Sequence, residues 1–114
     1  MNAQIQIISN DDNETINVDN IKDMNNIDYI DSYGANNSIV INNDEITINR
    51  VSDSHKTHLF ISDNKDSYII IDGDEGNIKI DIKVLAFERN NDIILLAYLI
   101  GEEERKIVIK YLRG

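Results

Sequence analysis

Between residues 76 and 84 apolar and polar side chains alternate without a break. Ile78, Ile80, Ile82 and Val84 point one way, and Lys79, Asp81 and Lys83 point the other. A helix would scatter those apolar residues around its axis, whereas an extended strand gathers them on one face and leaves the other wet. The same period of two recurs along the chain, broken by Asn and Asp clusters roughly every eight to twelve residues, and helical spacing of apolar residues is hard to find. That layout belongs to all-β sandwiches and barrels. It predicts about ten strands, near residues 4–8, 14–18, 27–33, 38–41, 45–50, 57–62, 67–71, 76–84, 93–100 and 105–112. The polar stretch 10–26 leaves room for a loop or a short helix around Ile21-Lys22-Asp23-Met24.

The links between these strands are short and read as hairpins: Asn42-Asn43-Asp44, Asp72-Gly73-Asp74-Glu75-Gly76, Glu88-Arg89-Asn90-Asn91-Asp92 and Gly101-Glu102-Glu103-Glu104. Consecutive strands are then antiparallel neighbours. With no proline and five glycines, the turns are expected to fall to Asn and Asp, which tolerate left-handed backbone better than other non-glycine residues. A meander of this many strands either closes or leaves two long edges open. The expected fold is therefore a single small antiparallel β-barrel of about eight to ten strands, one domain over residues 1–114.

Charge and cysteine content remove several function classes. Eleven Lys and Arg stand against 21 Asp and Glu, a formal net charge of −10, so the clustered positive charge that phosphates reward is missing. Neither a nucleic-acid partner nor a membrane partner is expected. Residues 1–55 carry ten acids and two bases, so the negative charge is concentrated in the first half. Without cysteine there is no disulfide, thiolate-bound metal or thiol nucleophile. The first ten residues have no basic residue ahead of their short apolar stretch, which is not the layout of a secretory signal. The longest apolar run, 93–100, is eight residues, far short of the ~20 of a spanning helix. A cytoplasmic location follows as the expectation.

The order of features is distinctive: Tyr29-Ile30-Asp31, then Asp44-Glu45-Ile46-Thr47-Ile48-Asn49-Arg50, Leu59-Phe60-Ile61, Gly76-Asn77-Ile78-Lys79-Ile80-Asp81-Ile82, and finally 94–98 and 106–109. In this the chain resembles the YwiB-like family of small bacterial proteins, over roughly residues 4–112, with Asp-x-Ile-Thr-Ile-x-Arg the sharpest part. The resemblance implies a calycin (lipocalin-like) β-barrel and lends no reaction. Where that family carries a Thr-Pro-Tyr-Gly turn, this chain has Gly73-Asp74-Glu75-Gly76, and the stretch 33–38 reads as shortened.

Candidate chemistry is sparse. His55 and His58, with Asp53 and Asp63 near, are the only histidine cluster. Such a pair can ligate a divalent metal if both rings converge. On a strand, positions three apart face opposite sides, so solvated histidines are the preferred reading and no metal or cofactor is expected. The Asp72–Gly76 turn lacks the ligand positions and flanking helices of a calcium loop. The acids offer no selective pair for acid–base work, and no nucleophile elbow or phosphate loop is present. Arg50 says more. Alternation puts it on the face of Ile46 and Ile48, where a cation needs either a carboxylate partner at the core's rim or an anionic ligand group. Tyr29, Tyr68 and Tyr98 read as core-edge residues whose hydroxyls can line a pocket.

Function follows from fold and Arg50: a non-catalytic binder of a small, partly apolar or anionic ligand in the barrel. The alternative is a protein–protein module or homo-oligomer built on strand 93–100, with Ile94, Leu96 and Ile100 on one face and Ile93, Leu95 and Leu99 on the other. A barrel wall has one dry face, so the outer set needs cover. An enzyme of unknown class is the third option. In a gel-shift titration at physiological salt a chain of this charge should retard neither a random duplex nor a single strand, and tight binding to either would contradict the expectation.

Overall fold

A computed structural model describes residues 1–112. Ten strands account for nearly all regular structure: β1 Asn2–Ile8, β2 Asn13–Val18, β3 Asn26–Ile30, β4 Asn36–Ile41, β5 Glu45–Val51, β6 Lys56–Ser62, β7 Ser67–Gly73, β8 Gly76–Arg89, β9 Ile93–Ile100 and β10 Glu103–Leu112. The all-β, antiparallel class is the one that the alternation predicts. Contacts divide the chain into two compact units, Met1–Met24 with the residues from Lys83 onward, and Asn25–Ile82. β8 runs through the boundary, giving its first half to the second unit and its second half to the first. Among the described residues no helix is long and apolar enough to cross a membrane.

In the first unit the strand order is β2-β1-β10-β9-β8. Its buried face is set by register: Ile16 lies across from Ile5, Ile5 from Ile109, and Ile109 from Ile94. Ile5, Ile94, Leu96 and Ile109 are fully buried. In the second unit, β8-β7-β6-β5-β4-β3, a corresponding row joins Ile27, Ile39, Ile48, Leu59, Ile69 and Ile80. Each buried isoleucine contributes roughly 1.5–3 kcal/mol, and β-branched side chains suit the pleated surface.

Two local expectations are corrected, and the alternative left open around residues 21–24 is decided for the loop. No helix forms around Ile21-Lys22-Asp23-Met24. That segment is tied down by backbone and side-chain bonds, the Ile21 amide donating to Met1 O (2.8 Å) and the Tyr111 hydroxyl to Met24 O (2.7 Å). Left-handed backbone falls mainly to glycine, at Gly34, Gly76 and Gly101, with Asn20 the one other described residue there. Asn and Asp shape turns through their side chains instead, as where Asn90 Oδ1 accepts from the Asp92 and Ile93 amides. β8 also continues past Val84 to Arg89.

The outward set of β9 is partly covered: Ala97 is buried, Leu95 and Leu99 are half-buried, and Ile93 is 38% exposed. Register sets Val108 across from Leu95, and Lys106 and Lys110 across from Ala97 and Ile93, where aliphatic lysine stems can lie over apolar neighbours.

The register yields a contrast between two isoleucines. Ile46→Ala, at a fully buried position, should cost roughly 2–5 kcal/mol in urea unfolding. Ile78→Ala, at a position 63% exposed, should stay within about 0.5 kcal/mol. Equal losses would contradict the assigned faces.

Candidate functional site

The three strands β3, β4 and β5 carry polar groups on both faces. On the buried face Tyr29 lies across from Asn37, and Asn37 from Arg50. Just beyond β3, Asp31 gathers four donors. Its Oδ2 accepts from Arg50 Nε at 2.8 Å and from Asn37 Nδ2 at 2.9 Å. Its Oδ1 accepts from the backbone amides of Tyr33 (3.0 Å) and Ala35 (3.1 Å). The Asp31 side chain is 6% exposed and that of Arg50 33%. The sequence places Arg50 at the rim of the core with a carboxylate partner, and that is its position.

Burial alone would raise the pKa of Asp31. The hydrogen bonds from Arg50, then Asn37, then the two amides outweigh it and hold the carboxyl at about 2, against an ordinary 3.8. Donors to the charged form of a carboxylate have this effect. Asp31 and Asn37 were not singled out in the sequence, yet the alternation of Ile27 and Tyr29 already puts Asp31 on their face. Asn37 had no such signal, because it stands beside Asn36 in a polar run.

The other face of the same strands forms an open concavity of about 410 Å³, lined by Asp28, Ile30, Asn36, Ser38, Asn49 and Val51, with Tyr29 and Asn37 contributing at its floor. The register explains it: Asp28, Ser38 and Asn49 make one cross-strand row, and Ile30, Asn36 and Val51 the next. Arg50 points away from it, since its neighbours Asn49 and Val51 take the concave side.

The remaining sequence candidates are dispersed. Tyr68 stands on the exposed face of β7, its ring 5.3 Å from Phe60 and 6.0 Å from His58, with Lys79 Nζ 4.6 Å above it. Tyr98 belongs to the other unit, buried and across from Arg105. Burial pushes its hydroxyl pKa up against the opposing effect of that guanidinium. His58 Nδ1–H donates to Asn49 Oδ1 (2.7 Å), while His55 Nδ1 is hydrogen-bonded to Ser54 Oγ (2.6 Å) and its ring lies against Gly73. Among the described residues no group of three or more His, Cys, Asp or Glu could hold a metal ion.

No protein-family model matches the chain, and neither does any curated protein sequence. Among solved structures it is similar to the crystal structure of the ywiB protein from Bacillus subtilis, with a TM-score of 0.60 and 12% identity over 99% of this chain and 89% of that one. At that identity the likeness establishes the fold, and at that level the resemblance read from the sequence is borne out.

The Asp31 cluster sets two expectations for unfolding experiments. Arg50→Ala strands a buried acid and should cost roughly 2–4 kcal/mol, and Arg50→Met, which keeps the stem, should lose nearly as much. Because the folded carboxyl titrates below the unfolded one, its contribution of about 2 kcal/mol is present above pH 4 and lost as pH falls from about 4 through 2. Asp31→Asn should lack that acid-dependent loss. Variants of Arg50 within about 0.5 kcal/mol of the wild type, the range of an ordinary surface site, would contradict the pairing.

Proposed function

We propose that this chain is a non-catalytic binding protein that takes a small, partly apolar ligand, and that the ligand sits in the concavity on the exposed face of β3, β4 and β5. The observation that carries the reading is the concavity itself. Its volume of about 410 Å³ falls within the 300–1,000 Å³ of small-molecule sites. Its lining combines aliphatic Ile30 and Val51 with the amides of Asn36 and Asn49 and the hydroxyl of Ser38. From the sequence the ligand is expected inside the barrel with Arg50 as its anchor, but Arg50 Nε is committed to Asp31, and the concavity lies on the opposite face.

A second reading, self-association through strand β9, is favoured by the 38% exposure of Ile93 beside exposed Leu112 on β10. Light scattering separates the two: one chain's mass at working concentration leaves the binder, and twice that mass supports the oligomer.

Cyclohexanol, a compact ring with one polar group, is a suitable first probe, followed by amide NMR. Added at millimolar concentration, it should perturb residues 28–30, 36–38 and 49–51. Ser38→Trp, which fills the concavity, should abolish the effect without lowering Tm. Perturbations confined to other strands would overturn the site.

A further inference from the structure

We propose that the concavity on β3, β4 and β5 is a subsite for a neutral carbohydrate, held by the row Asp28, Ser38 and Asn49 along the hydroxyl edge of a sugar ring. The proposal rests on the binding-site reading above and names its ligand class.

Charge narrows the choice first. Among the described residues no cation lines the concavity, and Arg50 lies on the opposite face with its Nε on Asp31. In a chain of net charge −10, a phosphate or carboxylate ligand finds nothing here to repay its desolvation. A cation finds the single carboxylate of Asp28, too few ligands for a metal. A neutral ligand remains.

The hydrogen-bonding groups then set its character. Asp28, Asn36 and Ser38 spend no side-chain hydrogen bond on any described residue. Asn49 uses its carbonyl oxygen to accept from His58 Nδ1 at 2.7 Å, which orients the amide and leaves its two N–H donors for a ligand. Asp28, Ser38 and Asn49 sit on adjacent strands in register, so an acceptor, a hydroxyl and a donor recur every ~4.8 Å across the sheet. That repeat is close to the length of a pyranose ring. The row spans about 10 Å, room for two sugar units.

Beside this row runs an apolar one. Ile30 and Val51, 64% and 44% exposed, flank Asn36 one step along the strands. A pyranose carries hydroxyls around its edge and C–H groups on its face, so a polar row next to an aliphatic one matches it. A purely apolar ligand would leave Asp28 and Asn49 desolvated without partners.

Amide NMR titration of the full chain with maltotetraose, cellotetraose and chitotetraose tests this, with cyclohexanol as the comparison ring. At least one oligosaccharide should shift residues 28–30, 36–38 and 49–51 and bind more tightly than cyclohexanol. Asn49→Leu, which keeps the side chain's size, should weaken the sugar about five- to tenfold. If cyclohexanol shifts these residues and no sugar does, or if Asn49→Leu leaves sugar affinity intact, the carbohydrate assignment is overturned while the binding site stands. If neither probe shifts them, both readings fall.

Discussion

The carboxylate of Asp31 is the constraint on which the second unit is organised. It stands at the point where β3 ends, yet it is almost fully buried, and a charge so placed must have its oxygens satisfied or be neutralised. Two backbone amides shape the turn between β3 and β4 around one oxygen. Side chains from β4 and β5, Asn37 and Arg50, close on the other. One group thus links a turn and two strands, and adds directional polar contacts to the register that the dry face of β3, β4 and β5 already favours.

The stagger has its functional consequence on the opposite face. Strand side chains alternate, so whatever fixes Asn37 across from Arg50 also fixes Ser38 across from Asn49 and Asn36 across from Val51. The concavity is made by those outward pairs. The charged pair is buried on one side, while the Asp28 carboxylate, the amides of Asn36 and Asn49, the Ser38 hydroxyl and two aliphatic residues line the concavity on the other.

Much of this was legible in the sequence, and the losses have physical causes. Alternation located the strands because one face of each is dry, and it placed Arg50 correctly from Ile46 and Ile48 alone. The partner was harder to see, since Asp31 is one of 21 acids and pairing across 19 residues leaves no local trace. The sequence offers Tyr68 as a core-edge residue able to line a pocket, but in Ser67–Gly73 three consecutive isoleucines mask the alternation, and the buried positions are Ser67 and Ile69. The alternation stops at Val84 because Leu85 breaks it, while the strand runs on to Arg89 with Leu85 46% exposed. The concavity could not be read at all. It depends on how three strands are paired, and that pairing becomes visible only once the chain is folded.

The most direct measurement is an NMR pH titration of the Asp31 carboxyl carbon in the wild type and in Arg50→Met. The wild-type group should titrate at about 2 and move upward once the guanidinium is gone, since burial then opposes ionisation with fewer donors against it. A wild-type value near 3.8, unmoved by the substitution, would mean that Asp31 is an ordinary solvated acid and that β3, β4 and β5 are not held together in the way described.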